Sequence, residues 1–173
     1  MRYFALDIHK AYTPPRLTKW HGILDQKTLR EKKRNLIPKY TLFHIENHMQ
    51  TVFTDIIFHP CFMVSKKVMD VIKLYEPSLR FERLALADRA AKKICVYYIP
   101  ILIELDVLTP NSRVAHDKRT LEYIEIDEEK AKQRAIFQFE INDKIYVLAH
   151  LDLIESLLRR KVIGVDLKAV ETI

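Results

Sequence analysis

The chain has 173 residues, 49% of them hydrophobic, and a net charge of +6 with a pI near 9.2. That is enough apolar material for one core, and the basic excess suits an acidic partner without specifying a fold. Only Gly22 and Gly164 are glycine, which excludes the glycine-rich loops that cradle phosphates. The first residues show neither a basic leader nor an unbroken apolar segment. The longest apolar run, Ile94 to Ile103, contains Pro100 and is far shorter than the roughly 20 residues of a spanning helix. The expectation is a cytoplasmic protein with no membrane segment, in which Cys61 and Cys95 are reduced core thiols.

Residues Arg2 to Ile8 alternate as a half-buried strand, and Pro14 and Pro15 then force an extended connection past Trp20. Between Lys27 and Lys39, six basic residues (Lys27, Arg30, Lys32, Lys33, Arg34 and Lys39) face one acid, Glu31. With only Leu29, Leu36 and Ile37 as apolar contacts, this stretch reads as an exposed helix or loop. Tyr40 to Ile45 and Val52 to Phe58, rich in β-branched and aromatic residues and separated by Glu46 to Gln50, read as a hairpin.

Ser65 is a good N-cap for a helix whose face is Val68, Val71, Ile72 and Tyr75, and which Pro77 stops. Phe81 to Ala87 reads as a strand. So does Ile94 to Leu108, with a bend or bulge at Pro100 and one face of its second half in water. Leu121 to Ile126 is a further strand, and Asp127 caps a brief helix whose acids precede its bases. Ala135 to Glu140 and Ile145 to His150 form the clearest hairpin. A three-residue loop, Asn142 to Lys144, would place Phe137, Phe139, Ile141, Ile145, Val147 and Ala149 on one face. Asp152 and Glu155 resemble a capping box for a helix ending in Arg159, Arg160 and Lys161, and Val165 to Val170 alternates as a last strand. Strands outnumber helices and sit mostly in hairpins. The expected fold is therefore one α+β domain over residues 1–173, a mainly antiparallel or mixed sheet with two to four short helices packed on it.

Candidate chemistry is sparse. His44, His48 and His59 with Glu46, Asp55 and Cys61 are metal-ligand types, and a small metal-dependent hydrolase is one reading of them, but they lack metal-site spacing. Ser65 and the cysteines sit in no nucleophile motif. Glu122 and Glu125, three apart on a strand, point to opposite faces and make no local dyad. Of the adjacent Tyr97 and Tyr98, Tyr97 is the better core residue. The basic segment 27–39 has the charge for phosphates, so a nucleic-acid-binding accessory role is an alternative, but it lacks interleaved aromatics.

Three short stretches, Phe62-Met63-Val64-Ser65-Lys66-Lys67-Val68 entering a helix, Tyr97-Tyr98-Ile99-Pro100, and Lys161-Val162-Ile163-Gly164-Val165 after a capped helix, resemble a family of bacterial immunity proteins. These proteins accompany polymorphic toxins and contact-dependent effectors. The resemblance covers about residues 59–173. It implies a non-enzymatic, cofactor-free protein that neutralises a cognate toxin domain by stoichiometric binding. It assigns no contact residues; by residue type alone, Trp20, Arg34 and Tyr40 are candidates for partner binding.

Overall fold

The structure, a computed structural model, describes residues 2–25, 29, 41–114 and 121–173. Among these, the order of elements is β1 (Tyr3–Ile8), β2 (Thr41–His44), β3 (Ile56–Ile57), β4 (Met63–Val64), α1 (Lys66–Tyr75), β5 (Phe81–Asp88), β6 (Lys93–Pro100), β7 (Arg113–Val114), β8 (Leu121–Tyr123), β9 (Glu125–Ile126), α2 (Glu128–Ala131), β10 (Ile136–Ile141), β11 (Lys144–His150), α3 (Leu151–Arg159) and β12 (Val165–Thr172). The fold is mostly β, with helices added, in keeping with the α+β class. The first sheet runs β10-β11-β1-β12-β9 and the second β2-β5-β6-β4-β3, while β7 and β8 form a separate pair. Both sheets are mixed: β9 joins β12 and β2 joins β5 in parallel, and the other pairings within these two sheets are antiparallel. No helix among the described residues is long and apolar enough to cross a membrane.

The first sheet is buried on both faces. On one side Leu6, Ile136, Val147 and Ala149 meet Val68 and Ile72 of α1 and Leu153 and Leu157 of α3. On the other side Tyr3, Phe137, Phe139 and Leu148 meet Val107, Ile124 and Ile126. The second sheet turns Phe43, Leu84, Leu86 and Tyr97 toward Leu17 and Leu24 of the N-terminal connection.

Several local expectations hold. Ser65 caps α1, its hydroxyl accepting from Val68 N–H, and α1 buries Val68, Met69, Val71 and Ile72 and ends before Pro77. Tyr75 does not join that buried face; its hydroxyl reaches the Asp152 carbonyl at 3.0 Å and Ser156 Oγ at 2.6 Å. Asp127 caps α2, and β12 runs two residues past Val170. Tyr97 is buried and donates its hydroxyl to the Thr54 carbonyl at 2.7 Å. Both cysteines are free thiols, Cys61 buried and Cys95 partly so.

Four expectations are corrected. Tyr40 to Ile45 and Val52 to Phe58 form no hairpin: β2 lies parallel to β5, with Phe43 beside Leu86, and β3 pairs with β4. Local proximity loses to burial, because Ile56 and Ile57 each enter a different core cluster from one short strand. The run from Ile94 does not continue as a strand past Pro100: only isolated bridges at Glu104 and Leu108 follow, and Ile103 is exposed. The hairpin of β10 and β11 turns through two residues, not three. Asn142 and Asp143 take φ of 48° and 62°, the conformation of a two-residue primed turn, so Ile141 faces Lys144 and Phe139 faces Tyr146. Phe139 and Val147 thus lie on opposite faces, and both are buried because both faces are covered. Finally, α3 is capped by His150, whose Nδ1 accepts from Asp152 N–H at 3.3 Å, so Asp152 already lies in the first turn. Glu155 turns instead toward Arg159, 3.5 Å away.

Phe139 is 3% exposed and stacks on Tyr146 with ring centroids 5.3 Å apart. Phe139→Ala is expected to lower unfolding free energy by about 3–5 kcal/mol in a denaturant titration. A loss under about 1 kcal/mol would place this side chain at an ordinary surface position.

Candidate functional site

The residues suggested as metal ligands are separated by their local roles. Asp55 accepts from Ser65 Oγ at 2.8 Å and from Ile163 N–H at 3.0 Å, and pairs with Lys67 Nζ at 2.8 Å. Cys61 is buried, and desolvation pushes its thiol up to about 12, far from the thiolate a metal would need. His44 Nε2 meets Arg89 Nη2 at 3.1 Å, and His48 Nδ1 accepts from Gln50 N–H in a tight turn. His59 stands edge-on to Trp20, centroids 5.2 Å apart. Glu46 is exposed. Among the described residues no group of three or more His, Cys, Asp or Glu is placed to hold a metal ion, so the hydrolase reading loses its constellation.

Trp20 is half-buried, stacked on His21 at 3.8 Å and packed against the second-sheet core. Arg34, Tyr40 and the basic residues from Lys27 to Lys39 lie outside the described residues. Glu122 is exposed, while Glu125 is only 7% exposed, so this pair is separated by burial. The Glu125 carboxylate accepts from the Thr109 hydroxyl and from Asn111 Nδ2 at 2.9 Å, and Ser112 Oγ ties to its backbone on both sides. It is a structural anchor between β9 and the loop that precedes β7.

The feature with the dimensions of a ligand site was not read from the sequence. It is a cavity of about 570 Å³, within the roughly 300–1,000 Å³ range of small-molecule pockets. Its origin is a fork in the first sheet. Pairing of β1 with β11 stops at Leu6 opposite Val147, whereas β1 stays paired with β12 to Ile8 opposite Val165. Meanwhile β11 stays with β10 down to Lys144. The tip of the β10–β11 hairpin therefore parts from β1, and the end of β6 with the Phe58–Phe62 segment closes the gap from the second sheet. Leu6, Val147, Ile145, Phe58, Phe62 and Ile99 supply an apolar lining.

Polar side chains enter it at defined points. Gln138 lies on the same face of β10 as Ile136 and Glu140, and its backbone is bonded outward to Ile103 O and Leu105 N–H at 3.0 and 2.9 Å. Glu82 lies opposite Ile99 on the inward face of β5, half-buried at the strand's start. A polar residue inside an alternating apolar strand was the one available sequence signal for each. Nothing in the sequence told that β1 and β11 separate, because the fork depends on pairing between segments about 140 residues apart.

The Thr109 hydroxyl first, and then Asn111, hold the Glu125 carboxyl below its usual range, against the opposing effect of burial. A lowered folded-state pKa gives stability that is fully present above the unfolded value, about 4.3, and lost as pH falls through the folded value. Glu125→Gln should therefore flatten the acid limb of a stability-against-pH curve below about pH 4.3. An unchanged acid limb would remove Glu125 from that role. No protein-family model matches this chain, and a search of curated proteins returns no match.

Proposed function

We propose that this is a cytoplasmic immunity protein, a single α+β unit that neutralises a cognate bacterial toxin domain by stoichiometric complex formation, without catalysis or cofactor. The observation that carries the reading is convergence. The three stretches that resemble the immunity family, about 100 residues apart at their extremes, meet at one locus: Ser65 and Lys67 from the first and Ile163 from the third all bond to Asp55, and Val64 pairs with Tyr98 of the second. Short segments scattered along the chain thus behave as parts of one unit.

The outer face of the second sheet supports a protein partner. Leu42 and Ile94 are 49% and 65% exposed, and the register places them on one face with Ala85 and Val96. Arg83 lies on the same face and Arg89 just beyond the end of β5, adding positive charge beside this apolar strip. An apolar strip flanked by arginine suits a toxin surface that is apolar with acidic groups beside it. Trp20, Arg34 and Tyr40 remain candidate anchors by residue type.

Co-expression should rescue cells from the cognate toxin domain, and the two proteins should co-elute at fixed stoichiometry with a nanomolar or tighter Kd, about −12 kcal/mol or better. Leu42→Asp with Ile94→Asp should weaken the complex at least about tenfold while leaving the melting temperature unchanged, since both side chains are exposed. Failure of the wild-type proteins to associate at micromolar concentration, or toxicity despite soluble excess, would sink the proposal.

A further inference from the structure

The charged side chains of the fork are unequally engaged. Lys144 Nζ lies 4.9 Å from the centroid of the Tyr146 ring, and Lys168 Nζ donates to the Glu122 carbonyl at 2.8 Å. Asp7 Oδ1 accepts from its neighbour Ile8 N–H at 2.7 Å. Among the described residues, no ion pair or hydrogen bond engages the side chains of Glu82, Asp143 or Gln138. Glu82 differs from Asp7 and Asp143 in being half-buried, in a chain whose net charge is +6. A half-buried carboxylate with no partner among the described residues sits in a poorer solvent than water, and an ammonium group placed against it would supply an ionic partner.

We propose that this fork binds a small amphiphile, an apolar chain ending in a protonated amine. The chain would lie over Leu6, Val147 and Ile99, the ammonium would meet Glu82, and the Gln138 amide would serve a second hydrogen-bonding group where the ligand has one. An anionic chain would bring like charge to Glu82, and a neutral alcohol would leave it unpaired. The site is independent of the toxin-binding face: Glu82 and Ile99 point to one side of the second sheet, Leu42 and Ile94 to the other.

The probes are decylamine, 1-decanol and decanoate, each kept below its aggregation limit and titrated into the full chain by calorimetry. The fluorescence of Trp20, the only tryptophan, offers a second readout because His59 on the cavity lining touches it. Decylamine should bind saturably at one per chain, at least about fivefold tighter than decanol, with decanoate weakest. Glu82→Gln should bring decylamine to the level of decanol, and Val147→Trp, which fills the cavity, should remove binding of all three. Val147 is deeply buried, so Ile145→Trp at the half-buried mouth is the second filled variant. Should neither filled variant fold, the Glu82→Gln comparison decides alone. Equal binding of the three probes, a preference for decylamine that survives Glu82→Gln, or no saturable binding overturns the proposal.

Discussion

The Asp55 carboxylate is the interaction on which the arrangement of helices and sheets depends. One oxygen takes the hydroxyl of the α1 cap, Ser65, and the other takes Ile163 N–H and the Lys67 ammonium. Its backbone joins in as well: Asp55 N–H donates to Ile163 O and its carbonyl accepts from Ser65 N–H, at 3.0 and 2.7 Å. One residue therefore fixes the start of α1, the approach to β3 and the turn between α3 and β12. The neighbouring position removes the remaining freedom, because Gly164 has φ of +91° and an added Cβ would collide with the Thr54 side chain. Removing this carboxylate would leave the part-buried Ile163 N–H and Ser65 hydroxyl without their acceptor, at about 1–3 kcal/mol for a donor that water does not reach.

That anchoring explains why the two amphipathic helices share one cluster. The cap at Ser65 orients α1 so that Val68 and Ile72 face the first sheet, and the turn at Ile163 returns the chain into β12 after α3 has packed Leu153 and Leu157 against the same surface. Glu76 closes the other end of α1, accepting from Ala135 N–H at 2.7 Å and from Arg134 at 3.2 Å, which ties the helix C-terminus to the start of β10. Both ends of α1 are thus held by carboxylates, Glu76 buried and Asp55 partly so, rather than by packing alone.

Local chemistry was legible in the sequence and pairing was not. Caps at Ser65 and Asp127, the stop at Pro77, the burial of Tyr97 and the strand character of β1, β5, β10 and β12 follow from residue type and periodicity over a few positions. The partner of β2 did not, since a neighbouring run of similar composition competes with β5 across about 40 residues and burial of Phe43 decides between them. The β10–β11 register missed by one residue for a different reason. Asn142-Asp143-Lys144 allows two loop lengths, and the deciding assumption, that only one face is apolar, fails in a sheet covered on both sides. The same blindness to pairing hid the fork.

The ladder of β5 and β6 carries two surfaces that the period of two keeps apart. Leu84 and Leu86 turn inward beside Tyr97 with Glu82 at their end, and Ala85 turns outward beside Val96 and Leu42. A slip of one residue would exchange these sets, exposing Leu84 and Leu86, which are 2% and 0% exposed, and burying Arg83. Burial therefore locks the register, and with it the separation of the inward carboxylate from the outward apolar strip. Substitutions at Glu82 and at Leu42 share no partner and lie on opposite faces, so their effects should add. A departure from additivity would mean that the ladder itself shifts between two registers or two twists when one face is occupied.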